Sequence, residues 1–346
     1  MEAEQVPLVD RALPERVVGI AASAGGVEAI RQVVATLPHD FPGAVCITLH
    51  IPATGRSLLA PILDRESRLP AVLATDGMAL RAGVIYVAPA DHHLLVGRDA
   101  LGLSRGPKEN GTRPAADPMF RSLAEAWGSC AVAVVLSGAL DDGSAGAVAI
   151  AGRGGVVIVQ DPRDALVPSM PASTIAADSP ERVVRAAEMG GVLSRLFGEP
   201  LPDPEGGSTM SEPVQAPQHP SRPAGPASAF TCPECSGALW ELREGELVRY
   251  RCRVGHSYSE DAMVDAQAAS VEAALWAALE VLEERGELLQ RIADRMLGRT
   301  PATERRFRED ARDALGRAAL IRRALMQGGG DGGLAREHHI REAAGG

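Results

Sequence analysis

Short, continuous apolar runs alternate with amphipathic stretches along the N-terminal part of the chain, and this pattern constrains the fold most strongly. Residues 27–36 have the apolar spacing of a helix, and residues 147–151 follow one apolar run and precede another, as a crossover helix would. A strand that is apolar on both faces has to be covered on both faces, as in parallel sheets whose crossovers are helices. The sequence therefore predicts an α/β domain with a doubly wound, mainly parallel sheet and helices on both faces. The predicted strands span residues 16–22, 44–49, 84–87, 131–136 and 156–159.

Composition divides the chain into five segments. Prolines, glycines and serines dominate residues 199–228, which cannot bury enough surface to offset their ordering entropy and so predict a flexible linker. Within the first segment, residues 93–103 alternate in polarity, and we expect an antiparallel hairpin there at an edge of the sheet. The segments are an α/β domain (1–198), the linker (199–228), a small cysteine-containing block (229–262), a helical hairpin (263–327) and a disordered tail (328–346).

Charge and hydropathy exclude several classes of protein. The net charge is −10, which is the wrong sign for a protein that binds the phosphate backbone generally, so no nucleic acid is expected as a partner. No apolar run approaches the roughly 18 residues of a membrane span, and the acidic N-terminus does not have the pattern of a signal peptide. Five cysteines are too few for a secreted disulfide scaffold. We expect a cytoplasmic protein with no direct membrane insertion.

Polar residues end three of the predicted strands. Ligand sites in such sheets lie beyond the carboxyl ends of the strands, where Ser23, His50 and Asp142 would meet. Each alone has an ordinary structural interpretation: a helix N-cap or an anion cradle for the serine, a strand-end imidazole, and an Asp-Gly turn. Together they supply a nucleophile, a general base and an orienting carboxylate. In the loop 138–140, the backbone N–H of Ala139 is the candidate donor to an oxyanion.

These motifs resemble the catalytic domain of the CheB protein-glutamate methylesterases of bacterial chemotaxis. The resemblance implies that Ser23 is the nucleophile, His50 the base and Asp142 its orienter. The implied reaction is hydrolysis of γ-glutamyl methyl esters on methyl-accepting receptor proteins with release of methanol, and some members also deamidate glutamine. His93, Arg113 and Asp117 fall in family motifs near the site, where they would position substrate or shape a loop. The matches span residues 16–197 and are strongest at 18–26, 49–52 and 136–143, with others at 86–93, 113–120, 160–161 and 170–171.

The sequence departs from the family pattern at several positions, among them Ala24, where a threonine is common, and Ala115, where a serine is common. The usual Gly-Met-Gly of the oxyanion loop is replaced by Gly138-Ala139-Leu140, so Leu140 adds a side chain where a glycine is usual. Because loss of one oxyanion donor costs about 10²–10³ in rate, this change is compatible with a slow enzyme. Members of the family often carry an N-terminal receiver domain, and only about 15 residues precede the first predicted strand here. We expect a constitutive esterase, or one that another chain or the C-terminal segments regulate.

The cysteine-containing block has the spacing of a zinc site. Two ligand pairs, Cys-x₂-Cys and Cys-x₃-His, flank a predicted β-hairpin, as in a zinc ribbon over residues 229–262. Three thiolates and one imidazole close a tetrahedral site, so the predicted zinc is structural and no cofactor for catalysis is expected. The remaining cysteines, Cys46 and Cys130, fit buried roles. The four predicted ligands are Cys232, Cys235, Cys252 and His256.

Two amphipathic helices follow the ribbon. Leu297 to Pro301 interrupts the pattern, with Thr300 as the expected N-cap and Pro301 in the first turn of the second helix. The apolar seams suit packing of the two helices on each other, and they equally suit a homodimer or a partner helix. The predicted seam residues are Val271, Leu275, Ala278, Leu282, Leu289, Ile292 and Met296 in the first helix, and Phe307, Ala311, Ala314, Ala318, Ile321 and Leu325 in the second.

Three functions therefore stay open at the level of sequence. The leading hypothesis is a methylesterase acting on receptors, with a ribbon and a helical hairpin that recruit a partner or form a dimer. The first alternative is a non-catalytic scaffold that retains the fold, and the altered loop at Leu140 favours it. The second is a zinc-dependent regulator that binds nucleic acid through the small basic patch at Arg249, Arg251 and Arg253.

Overall fold

The computed structural model describes residues 11–54, 57–177, 180–200, 223–244, 247–297 and 300–328. The chain forms two compact units, of which the first ends at Val264 and the second begins at Asp265. Most of the predicted linker and nearly all of the predicted tail lie outside the described residues. The predicted ribbon belongs to the same compact unit as the α/β domain.

A seven-stranded parallel sheet forms the centre of the first unit. Its order is β3-β4-β2-β1-β7-β8-β9, and each neighbouring pair is parallel. Every residue of the central strand β1 is buried, because apolar layers cover both faces. The predicted fold class is confirmed. The strands are β1 Val17–Ala22, β2 Ala44–Leu49, β3 Ala71–Leu73, β4 Ile85–Val87, β5 His93–Val96, β6 Leu101–Ser104, β7 Ala131–Val135, β8 Val156–Gln160 and β9 Arg182–Val184.

Helices cover both faces of the sheet, and the sheet divides the hydrophobic core into two layers. Alternate residues of β1 face opposite layers: Ile20 lies in one cluster with Ile30 and Leu193, and Ala21 lies in the other with Phe120. The parallel crossovers bring each strand back in the same direction, so all the carboxyl ends lie along one edge of the sheet. The helices are α1 Gly26–Ala35, α2 Leu59–Glu66, α3 Ala116–Trp127, α4 Ser144–Ala151, α5 Ser169–Ala177 and α6 Ala186–Gly198.

The predicted hairpin at residues 93–103 is present, but its predicted place is wrong. Strands β5 and β6 form a separate two-stranded antiparallel sheet rather than an edge of the main sheet. The hairpin is bound to α3 instead: the Trp127 indole donates to the Gly97 carbonyl, and the Ser122 hydroxyl accepts from the Val96 N–H. The apolar residues of the hairpin are thereby buried against a helix.

A four-stranded antiparallel sheet forms the ribbon, in the order β10-β11-β12-β13. The predicted hairpin within it is confirmed as β11 and β12, with Leu239 opposite Cys252 at its open end. The first strand begins two residues before the predicted start of the ribbon at residue 229. The strands are β10 Ala227–Thr231, β11 Ala238–Glu244, β12 Leu247–Cys252 and β13 Ser257–Ser259.

The two C-terminal helices are α7, Glu260–Arg295, and α8, Pro301–Gly328. Pro301 begins α8 as predicted, and the predicted seam residues Ala311, Ala314 and Ala318 are buried. Val271 is a wrong prediction, because its side chain is 60% exposed. Gly286 takes a seam position instead: a Cβ built there would lie 2.6 Å from the Leu315 side chain, so α7 and α8 pack on each other at a glycine. None of the helices in the described ranges is long and apolar enough to cross a membrane.

Candidate active site

Ser23 lies in the turn that joins β1 to α1. Its N–H donates to the Ser137 carbonyl (2.9 Å), and Gly25 adopts a left-handed φ of 74° immediately before the helix. Gly25, rather than Ser23, is the N-cap of α1, so the structure does not support the interpretation of this serine as a cap. Among the described residues, no group forms a hydrogen bond with the Ser23 hydroxyl. Ser23 is half-buried just beyond the end of β1.

His50 and Asp142 meet above the end of β1. The His50 N–H donates to the Ala22 carbonyl (3.1 Å), which places the backbone of His50 next to the residue that precedes Ser23. Asp142 follows β7, the neighbour of β1 on the other side, and its Oδ2 lies 2.7 Å from His50 Nε2. Because an ionised carboxylate only accepts, the neutral imidazole carries its proton on Nε2 and leaves Nδ1 as an acceptor. This is the tautomer that a general base needs.

The Asp142 carboxylate accepts three further hydrogen bonds. Oδ2 accepts from the Ala116 N–H (2.6 Å), and Oδ1 accepts from the Asp117 N–H (3.2 Å) and from Asn110 Nδ2 (3.1 Å). Burial alone would raise the pKa of Asp142, but the hydrogen bond with His50 and those from the two backbone N–H groups hold it well below its usual range. Asp142 is therefore ionised at neutral pH, as an orienter of imidazole must be.

The loop after β7 approaches Ser23 closely. A Cβ at Gly138 would lie 2.0 Å from Met170 Sδ and 2.9 Å from Ser23 Cβ, so the position requires glycine. The Gly138 N–H already donates to the Val167 carbonyl. The N–H groups of Ala139 and Ala24 donate to no other group within the described ranges. These two groups are the candidate donors to an oxyanion, and the sequence had indicated only the first.

Leu140 adopts the left-handed conformation that glycine favours, with φ of 63°. A non-glycine residue there costs on the order of 1–2 kcal/mol. The loop has nevertheless adopted its conformation, so we expect the cost to fall on stability rather than on catalysis. We predict that Leu140→Gly stabilises the protein by about 1 kcal/mol, or roughly 2–4 °C in Tm, and leaves kcat within about twofold.

Thermal unfolding of Leu140→Gly beside Leu166→Gly provides the matched comparison. Leu166 is exposed and has a negative φ, so glycine there should lower Tm through the entropy of the unfolded chain. A Leu140→Gly variant that melts below the wild type would contradict the strain argument.

Ser137 and Gln160 hold the turn that contains Ser23, and the sequence pattern predicted a role for neither residue. The Ser137 hydroxyl donates to the Ala24 carbonyl (2.7 Å) and accepts from the Val167 N–H (2.9 Å). Gln160 Oε1 accepts from the Ser137 N–H (2.8 Å), and its Nε2 donates to Asp164. Both residues are polar, buried and located at the carboxyl ends of strands. A polar residue at such a position was the sequence feature by which they could have been identified.

His93, Arg113 and Asp117 stabilise the loops around the site. His93 is buried, with Nε2 against the Pro107 carbonyl and Nδ1 accepting from the Ala115 N–H, and burial lowers its pKa. Arg113 donates to Asp91 and to the Arg105 and Gly106 carbonyls. The Asp117 carboxylate accepts from the N–H groups of Gly143 and Gly146 at the start of α4. These contacts fit the shaping of loops better than direct contact with substrate.

The four predicted metal ligands lie together in the ribbon. Their ligand atoms, from Cys232, Cys235, Cys252 and His256, all lie within 4.8 Å of one another. Cys235 Sγ and Cys252 Sγ are 3.7 Å apart, which is too far for a disulfide. Zn–S bonds of about 2.3 Å at tetrahedral angles place two sulfurs at about this separation. The cluster could hold a metal ion, and its geometry fits zinc.

Comparison with known proteins agrees with this geometry. The family model described as CheB methylesterase matches residues 18–193. A protein-glutamate methylesterase/protein-glutamine glutaminase of Maricaulis maris is 35% identical over 192 residues, which are 54% of this chain and 48% of that protein. One from Caulobacter vibrioides with the same name, numbered 2, is 38% identical over 189 residues, which are 53% of this chain and 54% of that protein.

A solved structure shares the fold. The crystal structure of the Thermotoga maritima CheB methylesterase catalytic domain aligns with a TM-score of 0.51 and 32% identity, covering 52% of this chain and 98% of that one. The chain spans about half the length of the curated relatives it matches. The family model spans the positions of Ser23, His50 and Asp142 in the α/β domain. The chain belongs to the CheB methylesterase family.

Proposed function

We propose that the chain is a serine hydrolase that removes methyl groups from γ-glutamyl methyl esters of receptor proteins. The observation that carries the proposal is the 2.7 Å contact of His50 Nε2 with the buried Asp142, above a turn that leaves the Ser23 hydroxyl accessible. The proposal for the substrate rests on the relatives, which are named protein-glutamate methylesterase/protein-glutamine glutaminase.

The first half of the reaction forms an acyl-enzyme. His50 Nδ1 takes the proton of the Ser23 hydroxyl as its oxygen attacks the ester carbonyl carbon. The N–H groups of Ala24 and Ala139 stabilise the oxyanion of the tetrahedral intermediate. As that intermediate collapses, the bond to the methoxy oxygen breaks, and the imidazolium returns its proton to release methanol. Asp142 holds the imidazole in place and stabilises its charged form.

The second half of the reaction restores the enzyme. His50 Nδ1 takes a proton from water, whose oxygen attacks the acyl carbon, and the Ser23 oxygen leaves with that proton. The product is the free γ-carboxyl group of glutamate. The same acyl-enzyme forms from glutamine if ammonia leaves in place of methanol, so deamidation uses the same residues.

We also propose that the Cys₃His cluster holds a structural zinc ion. Cys232, Cys235, Cys252 and His256 would hold the ion with no ligand position left open, so the ion would supply folding energy to the ribbon and no step of the hydrolysis. A dimer or a partner helix at the C-terminal hairpin, and a cytoplasmic location, stay predictions.

Methanol release from a methylated receptor fragment tests the proposed function. We expect the wild type to release methanol and Ser23→Ala to lose at least about 10³-fold in rate, because the nucleophile is absent. Ser270→Ala is the matched control, since Ser270 is an exposed serine on α7. A fluorophosphonate should label Ser23 in the wild type and should fail to label it in His50→Ala.

The same experiment separates the esterase from the alternative functions. If the wild type and Ser23→Ala both bind the fragment and neither releases methanol above background, the scaffold hypothesis replaces the esterase. Salt-sensitive binding of nucleic acid by the protein, abolished by neutralising Arg253, would favour the zinc-dependent regulator instead.

A further inference from the structure

The ribbon contacts the α/β domain at the segment that supports Asp142. Ser257 of β13 forms a parallel bridge with Glu109, and its carbonyl accepts from the Asn110 N–H (2.8 Å). The Ser257 N–H in turn donates to the Lys108 carbonyl (3.3 Å). A strand of the ribbon thus pairs with the loop whose Asn110 side chain donates to the Asp142 carboxylate.

Arg249 of β12 extends from the ribbon into the interior of the α/β domain. The residue is 2% exposed, and Nη1 donates to Asp117 Oδ2 (2.5 Å) while Nη2 donates to Glu109 Oε2 (3.3 Å). Glu109 also accepts from Arg121. Although burial opposes it, the two guanidinium groups hold the pKa of Glu109 below its ordinary value. A buried arginine between two buried carboxylates is costly to desolvate and is retained here at a defined geometry.

A second group of the ribbon sets the orientation of the Asn110 amide. The Ser259 N–H donates to Asn110 Oδ1 (3.1 Å), so the amide oxygen faces the ribbon. Asn110 Nδ2 therefore faces the two carboxylates, donating to Asp142 Oδ1 (3.1 Å) and to Asp117 Oδ2 (3.3 Å). With the amide reversed, its oxygen would face two carboxylates, which only accept when ionised.

The charges around Asp142 require a cation at the position of Arg249. Asp142 and Asp117 are both buried and are bridged by one amide, so each disfavours ionisation of the other. Burial raises the pKa of Asp117, and the Arg249 guanidinium opposes that rise. Asp142 has to be ionised to keep the proton of His50 on Nε2. The positive charge of the Arg249 guanidinium offsets the negative charge of Asp117. Without that offset, Asp117 would make it harder for Asp142 to stay ionised.

We propose that Arg249 is a positioning residue for the Ser23–His50–Asp142 triad, and that the docked ribbon completes the active site of the α/β domain. The proposal rests on the proposed esterase function. Arg249 reaches no reacting atom: it acts through Asp117 and Asn110 on Asp142. The ribbon is accordingly part of the catalytic unit rather than an independent recruitment module.

Arg249→Met tests this role, with Arg243→Met as the matched control on the same ribbon. Methionine keeps much of the aliphatic stem and removes the charge, whereas the Arg243 side chain is 76% exposed on β11. We expect kcat for methanol release to fall roughly 10- to 100-fold in Arg249→Met with KM within about twofold, since the reacting groups lose alignment while the receptor-binding surface is unchanged. Arg249→Lys should recover part of the loss, because an ammonium keeps the charge but lacks the two-armed contact.

A spectroscopic readout separates positioning from a purely structural role. The proton between His50 Nε2 and Asp142 Oδ2 should give a far-downfield NMR resonance, assigned by its absence in His50→Gln. We expect the resonance to shift or disappear in Arg249→Met and to persist in Arg243→Met. Where Arg249→Met does not fold, Arg249→Lys provides the same two readouts.

Three outcomes would overturn the proposal: wild-type kcat in a folded Arg249 variant, a rise in KM at constant kcat, or an unchanged resonance. The second would make the ribbon a contact for the receptor. If the wild type releases no more methanol than Ser23→Ala, the proposed function fails. The resonance alone then decides whether Arg249 positions the His50–Asp142 pair.

Discussion

Asn in place of Asp142 is expected to lower kcat for ester hydrolysis by about 10⁴ while the protein stays folded. The carboxylate now accepts from His50 Nε2, which keeps Nδ1 free as the base. An asparagine amide can donate to Nε2 instead, which moves the imidazole proton to Nδ1. A protonated Nδ1 cannot take the proton of the Ser23 hydroxyl. The loss should appear in kcat and in kcat/KM alike, because the interaction matters in the transition state.

The same substitution should also cost stability. The Asp142 carboxylate accepts from Ala116, Asp117 and Asn110, and an amide cannot accept all of these bonds. Each buried donor left without a partner costs about 1–3 kcal/mol, so activity has to be measured well below the Tm of the variant. Asp99→Asn, an exposed aspartate beyond β5, is the matched control. Retention of more than about a tenth of wild-type kcat in Asp142→Asn would contradict the assignment of Asp142 as the orienter.

Removal of the proposed ribbon metal is expected to abolish the proposed esterase activity, although the metal would take no part in the chemistry. The energy of metal binding in a small ribbon is folding energy, so a chelator should unfold β10 to β13. Arg249 and Ser259 would then leave their partners Asp117 and Asn110. We expect methanol release to fall at least tenfold in step with zinc release measured by a chromogenic chelator, and to recover when zinc is restored.

Two cysteine variants provide the comparison for metal removal. Cys232→Ser removes a ligand of the cluster and should lose both zinc and activity. Cys130→Ser changes a half-buried cysteine beside β7, outside the cluster, and should retain both. A metal-free protein with full kcat would show that catalysis does not depend on the metal-bound ribbon. A metal-free protein that still contains folded ribbon would show that zinc is not its source of stability.

The hydropathy pattern of the sequence predicted the strands that are buried on both faces of the sheet. Strands β1, β2 and β7 are continuous apolar runs, and the parallel arrangement places their carboxyl ends at one edge, so Ser23, His50 and Asp142 could be grouped from the sequence. Strand β9 was not predicted, because its two exposed residues at the edge of the sheet interrupt the apolar run. Gly286 was missed as a seam residue for a related reason: hydropathy counts side chains, and a close approach of helices depends on the absence of one.

The contacts between the ribbon and the α/β domain could not be predicted in the same way. Arg249 and Asp117 are 132 residues apart, and no periodicity connects them. In the sequence Arg249 belonged to a small basic patch, and Glu109 and Asn110 were polar residues of a loop. Their roles depend on burial and on the approach of two separately patterned segments. The Cys₃His spacing predicted that a ribbon forms, and it contained no information about where the ribbon packs.

Burial of Arg249 limits the routes by which evolution can remove the ribbon. While the ribbon stays docked, loss of this single arginine leaves Asp117 and Glu109 buried with one cation fewer. An uncompensated buried charge costs about 3–5 kcal/mol, which is a large share of the stability of a typical domain. Deletion of the whole ribbon would instead expose both acids to water, where their charges are solvated. Loss of Arg249 before loss of the ribbon would therefore destabilise the protein and be selected against. We expect relatives either to keep both the arginine and the ribbon or to lack both.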